Sequence, residues 1–135
     1  MRINVVSDFV VNIIDEIVVV KVDILIATHR DAKPLWDEFE SKLLFNRKKV
    51  VIDLSFCNNV DSTFLGILVK ILRKLGDKDG KLALVFPKLV RQELFLVTGI
   101  NKIIPCYDTL AEAMRSLGSK RPLHNFNLNS TVSPN

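Results

Sequence analysis

The stretch from Lys49 to Leu75 leaves few folds open. Lys49-Val50-Val51-Ile52-Asp53-Leu54 is a short β-branched run, the composition of a strand covered on both faces. Downstream, Leu65, Leu68, Val69, Leu72 and Leu75 recur at helical spacing and mark one apolar side of a helix. Between them, Asp61 or Ser62 can accept hydrogen bonds from the N–H groups that the first turn of a helix leaves unpaired. The order is therefore strand, loop, capped helix.

A helix start carries partial positive charge, so a phosphate on Ser62 would be favourably sited there. The plainer reading makes Asp61-Ser62 an N-cap and nothing more. At about 100° per residue, Ser62, Gly66, Lys70 and Arg73 share one side of this helix. Phe64, Ile67, Leu68, Ile71, Leu72 and Leu75 spread over an arc of about 200° on the other, wider than packing on a sheet requires. Part of that arc is either open to a partner or covered by flanking helices.

Upstream, Val5–Val11 and Ile17–Ile24 are rich in Val and Ile and read as an antiparallel hairpin, with Asp15-Glu16 in the connection. Val18, Val20 and Val22 face the core, whereas Val19, Lys21 and Asp23 form a mixed face. Ala27 to Pro34 leads into a helix through Leu44, capped by Thr28 or Asp31, with Leu35, Phe39, Leu43 and Trp36 as its stripe. Pro34 fits only in the first turn. After the central helix, Gly76-Asp77-Lys78-Asp79-Gly80 is a turn and Leu82–Phe86 a second covered strand. Leu89 to Val97 reads as a short helix closed by Thr98-Gly99. Ile103–Tyr107 is a last strand, placed at the sheet's edge by Pro105, and Asp108-Thr109 caps a helix through Leu117. The alternation implies an α/β fold: one domain over residues 1–117, a mixed, mostly parallel sheet with an N-terminal hairpin, and about four helices mainly on one face. From 118 to 135 the composition turns to Ser, Asn and Pro, and a flexible tail is expected.

With 135 residues, the chain has room for one domain. No apolar run approaches the ~20 residues of a membrane helix, and no leader-like segment opens the chain, so a cytoplasmic protein without a membrane partner is expected. A formal charge of +4, with the basic residues scattered, gives no nucleic-acid interface. Cys57 and Cys106 lack metal spacing and read as reduced thiols. His29 has no nucleophile or metal ligand beside it in sequence, and Asp53, inside an apolar strand, reads as a hydrogen-bonded structural acid. No phosphate-binding glycine loop or Gly-x-Ser-x-Gly elbow is present. The chain reads as a protein that is not an enzyme, with no cofactor and no metal.

Asp61-Ser62-Thr63-Phe64-Leu65-Gly66, after an apolar strand and before an amphipathic helix, resembles the Asp-Ser-Ser/Thr-Gly-Leu-Gly signature of STAS domains, the family of bacterial anti-sigma factor antagonists. The resemblance covers roughly residues 4–117. It implies a partner-binding protein: an anti-sigma factor that is also a serine kinase phosphorylates the residue matching Ser62, and only the unphosphorylated form binds it. A serine phosphatase is a further implied partner, the chain being a monomer or weak dimer. The implied contact residues are Asp61, Ser62, Thr63, Phe64, Gly66, Ile67 and Lys70, with Thr63 the second choice for the phosphate. Two departures stand out. Phe64 replaces the usual glycine, and its ring would either touch the partner or obstruct docking. Val22-Asp23-Ile24-Leu25 replaces a Gly-Glu-Leu-Asp, with Leu25 where the acid would be. The alternative is a divergent module that is not phosphorylated, a scaffold or a small-ligand sensor.

Overall fold

The computed structural model describes residues 7–86 and 98–120. Strands β1 (Phe9–Ile14) and β2 (Ile17–Val22) form an antiparallel hairpin, joined by Asp15 and Glu16. Both turn residues are left-handed, at φ 51° and 66°, as a two-residue turn matching the strand twist requires. The first strand thus runs further than the expected Val5–Val11, because Asn12, Ile13 and Ile14 pair with Val19, Val18 and Ile17. Val5 and Val6 lie outside the described residues.

The chain then forms the short β3 (Ile26–Ala27), helix α1 (His29–Ser41), β4 (Lys49–Asp53), the short β5 (Asn59–Val60), helix α2 (Ser62–Gly76), β6 (Lys81–Val85), β7 (Cys106–Tyr107) and helix α3 (Leu110–Ser116). Five strands make the main sheet in the order β1-β2-β4-β6-β7, parallel everywhere but in the hairpin. β3 and β5 pair as a separate parallel ribbon. The mixed, mostly parallel sheet is as the sequence implies. Three α-helices are described rather than about four; the segment expected to form another, 89–97, lies outside the described residues.

Helices α1 and α2 cover the face of the sheet formed by Val18, Val20, Val22, Val50, Ile52, Leu82 and Leu84. α3 covers the opposite face at Val19, Val51, Ala83 and Val85. β2 is therefore core on both sides: Ile17, Val18, Val19, Val20 and Val22 are all buried. The face expected to be mixed is so: Val19 is buried where α3 covers the sheet, while Lys21 and Asp23 stay half-buried. Lys21 lies opposite Val10 and Asp53 there and pairs with Asp23 at 3.7 Å.

Thr28 caps α1 in a reciprocal box: its hydroxyl accepts from the Arg30 N–H, and the Asp31 carboxylate accepts from the Thr28 N–H at 2.9 Å. With the start fixed at His29, Pro34 lies in the second turn rather than the first, and the Arg30 carbonyl loses its helical donor. The helix stops at Ser41, and Leu43 turns left-handed at φ 57°. The expected burial of Leu43 fails for that reason, and its side chain is 66% exposed. Leu35 and Phe39 are buried as the spacing implies. At the far end of α2, a Cβ on Gly80 would come within 2.8 Å of the Leu75 carbonyl oxygen, so only glycine closes that turn.

The last strand is shorter than Ile103–Tyr107 and sits at the sheet's edge, where Pro105 contributes only its carbonyl, to the Leu84 N–H at 2.9 Å. Thr109 caps α3 by accepting from the Glu112 N–H. Beyond α3, Ser119 is buried and donates to Asp15 Oδ2 at 3.0 Å, so the chain is still packed on the hairpin turn there. The remainder of the expected tail, 121–135, lies outside the described residues.

Candidate functional site

β3 feeds directly into α1 through Thr28, and β5 feeds directly into α2 through Asp61. Because β3 and β5 pair in parallel, with Ala27 opposite Val60, the two helix N-termini emerge side by side. Both present first-turn N–H groups and the positive ends of their dipoles.

Asp61 is the N-cap of α2: its Oδ1 accepts from the Phe64 N–H at 2.8 Å. Its Oδ2 accepts from the His29 N–H, the first of α1, at 2.9 Å. Of the two residues able to cap, Asp61 therefore does so, and Ser62 becomes the first helical residue with its hydroxyl outside the cap. Ser62 and Thr63 are exposed, as are Gly66, Lys70 and Arg73 further along that side of the helix. Ile67 is half-buried.

Phe64 does not belong with them. Its ring is fully buried in the core with Leu65, Leu68, Ile71 and Leu75, in helical phase with them. At 0% exposure the ring presents no surface to the solvent, which is at odds with its expected place among the contact residues. The side of α2 carrying Ser62 and Gly66 keeps the surface a glycine would have left. Most of the broad apolar arc is covered by α1 and the sheet, leaving Ile67 and Leu72 half-buried.

Between α1 and α2 runs an open groove of ≈ 480 Å³, lined by His29, Lys33 and Trp36 on one side and by Thr63, Gly66, Ile67 and Lys70 on the other. Lys33 is engaged by Asp37 at 2.9 Å. A Cβ on Gly66 would meet nothing within 4 Å, so no contact within the chain calls for glycine there. Near the helix starts Leu25, Ile26 and Phe56 are 48%, 56% and 52% exposed; of these the sequence pointed only to Leu25, as the residue in place of an acid. Leu25 and Ile26 belong to the altered segment and the strand after it, where the Leu25 carbonyl accepts from the Asn58 N–H at 2.7 Å. Loops and two-residue strands carry no periodicity, so nothing in the sequence separated Ile26 and Phe56 from the core.

The remaining polar groups have structural roles. Asp53 is buried, and its Oδ1 accepts from the Ser55 N–H at 2.9 Å, as a structural acid should. Burial pushes the Cys57 thiol up to about 12, with the charges of Asp53, Asp31 and Asp23 adding to the shift; a thiol so held is a poor nucleophile. His29 is a surface residue, its side chain 68% exposed. Among the described residues there is no cluster of three or more His, Cys, Asp or Glu able to hold a metal, and no helix long and apolar enough to cross a membrane.

The STAS domain family model matches residues 8–113, spanning every strand and helix described above except the last turn of α3. The chain belongs to the STAS family. Among STAS relatives, a Thermotoga maritima protein named as a candidate anti-sigma factor antagonist is 33% identical over 92 residues, 68% of this chain and 79% of that protein. The crystal structure of an anti-sigma factor antagonist from Mycobacterium paratuberculosis superposes with a TM-score of 0.72 at 26% identity, over 82% of this chain and 93% of that one. SpoIIAA of Bacillus, solved in its phosphorylated form, shares the STAS fold at a TM-score of 0.60 and 16% identity, over 81% of this chain and 98% of its own; that likeness is one of fold alone.

Proposed function

We propose that this STAS domain is an anti-sigma factor antagonist that binds an anti-sigma factor serine kinase through the face around Ser62 and is switched off by phosphorylation of that serine. The observation that supports it most is the division of labour at the start of α2. Asp61 supplies the cap, so the exposed Ser62 hydroxyl is left over for chemistry. A phosphate there adds about −1.5 to −2 charges at pH 7. The helix start tolerates that charge. A desolvated interface built around a neutral hydroxyl does not, since a buried charge without a partner is costly.

The exposed Leu25, Ile26 and Phe56 supply the apolar contact that such an interface needs at its centre, and Gly66 lets a partner's backbone approach α2 closely. The names of the Thermotoga and Mycobacterium relatives support the antagonist role. The test is the intact mass of the protein recovered from its own cells, followed by localisation of any phosphate. A single phosphate on Ser62 is expected. Its absence under every growth condition, or its presence on Thr63 instead, contradicts the switch and favours an unphosphorylated scaffold.

A further inference from the structure

Asp61 closes two helices with one carboxylate. Oδ1 takes the Phe64 N–H of α2 at 2.8 Å, and Oδ2 takes the His29 N–H of α1 at 2.9 Å. The Asp61 N–H in turn donates to the Ala27 carbonyl at 2.9 Å, just before α1. α1 does not need this help to start, because Thr28 and Asp31 already form its capping box. The bond to His29 is thus an additional tie between the two elements, and the His29 ring lies over it, with Nδ1 3.9 Å from Oδ2. The tie sits one residue from Ser62.

We propose that Asp61 is a positioning residue that couples Ser62 to α1. A negative charge on Ser62 repels the neighbouring carboxylate and competes with it for the N–H groups of the α2 first turn. The Asp61–His29 bond then loosens and the start of α1 shifts against α2, along the groove lined by Trp36, Thr63, Gly66 and Ile67. A partner seated in that groove then meets a displaced α1 as well as the charge itself. The consequence for signalling rests on the reading of Ser62 given above; the tie itself does not.

The chain carries one tryptophan, Trp36, and it lines the groove, so its emission reports on the movement. Ser62→Asp is placed in the parent and in a His29→Pro background. Proline at the first helical position suits a helix, because its missing N–H is one the helix does not use, and Thr28, at φ −128° and ψ −174°, already has the extended backbone that must precede it. His29→Pro therefore removes the donor of the tie and leaves α1 its Thr28–Asp31 cap, while the proline Cδ, pointing where the N–H pointed, pushes Asp61 Oδ2 away from its 2.9 Å position.

In the parent, Ser62→Asp is expected to shift the Trp36 emission maximum and to speed hydrogen exchange of the His29 amide roughly tenfold. In the His29→Pro background, with folding verified by circular dichroism, the Trp36 shift should vanish. Asp61→Asn, which keeps an oxygen for the Phe64 N–H, should speed exchange at His29 and leave Phe64 protected. An unchanged His29 amide in Ser62→Asp, or the same Trp36 shift in both backgrounds, overturns the coupling. These outcomes are independent of whether cells phosphorylate Ser62. A chain never phosphorylated there contradicts the switch alone, whereas a phosphorylated chain without the His29 response contradicts the coupling alone.

Discussion

Gly66 stands inside α2, where alanine would be more favourable by about 1 kcal/mol. A Cβ there meets nothing within 4 Å. Gly66→Ala is therefore expected to raise the stability of the isolated protein by about 0.5–1 kcal/mol in urea unfolding, while weakening the complex with the anti-sigma factor. A loss of stability would mean that the glycine answers to the fold and not to a partner. Cys57 makes a second prediction. Its folded value of about 12 lies above the ordinary 9.0, so below pH 9 the thiol is protonated whether or not the chain is folded and contributes no pH dependence. Between about 9 and about 12 the unfolded chain loses the proton first, and stability should fall as pH rises, by at most about 1.4 kcal/mol per pH unit from this group. Cys57→Ala should flatten that part of a pH-dependent unfolding curve. At this scale, the sequence named the right pair of residues for the helix cap but not which of them serves, since both can accept the same N–H. Phe64 was misplaced because its position beside Ser62 weighed more than its phase with Leu68, Ile71 and Leu75.

Among the elements, α1 depends most on its first turn, because Pro34 removes a hydrogen bond from the second. Thr28→Ala takes away the hydroxyl that accepts from the Arg30 N–H and should cost about 1 kcal/mol, read from thermal unfolding. The exposed Ser62→Ala should cost much less, since Asp61 is the cap of α2. Comparable losses in the two variants would place the cap of α2 partly on Ser62 after all. The sequence showed α1 and its cap but extended it to Leu44, because Leu43 continues the spacing of Leu35 and Phe39. The helix ends earlier, at Ser41, where the left-handed turn at Leu43 redirects the chain into the Leu44–Asn46 3₁₀ turn that buries Leu44 and Phe45. A pattern of apolar residues cannot tell these two uses of leucine apart.

For the whole molecule, alternating strands and helices after Val50, with a hairpin before them, sufficed for a mixed sheet, because parallel strands need helical crossovers. Which face each helix covers was not legible. α3 is seven residues long, too short for its apolar positions to point to one face of the sheet or the other, so the burial of Val19 beneath it could not be read. The parallel ribbon of β3 and β5, only two residues per strand, escaped notice for the same reason, yet it brings both helix starts to one place and gives Asp61 its two partners. The architecture thus concentrates an exposed serine, exposed apolar side chains and two helix N-termini at one end of the molecule. The most direct measurement is titration of the parent, Ser62→Ala, Ser62→Asp and Thr63→Ala proteins against the anti-sigma factor kinase domain from the same cells. Binding by the parent, Ser62→Ala and Thr63→Ala with similar affinity, and a loss of at least about tenfold for a correctly folded Ser62→Asp, is the predicted result. Equal binding by Ser62→Asp and the parent would contradict the switch.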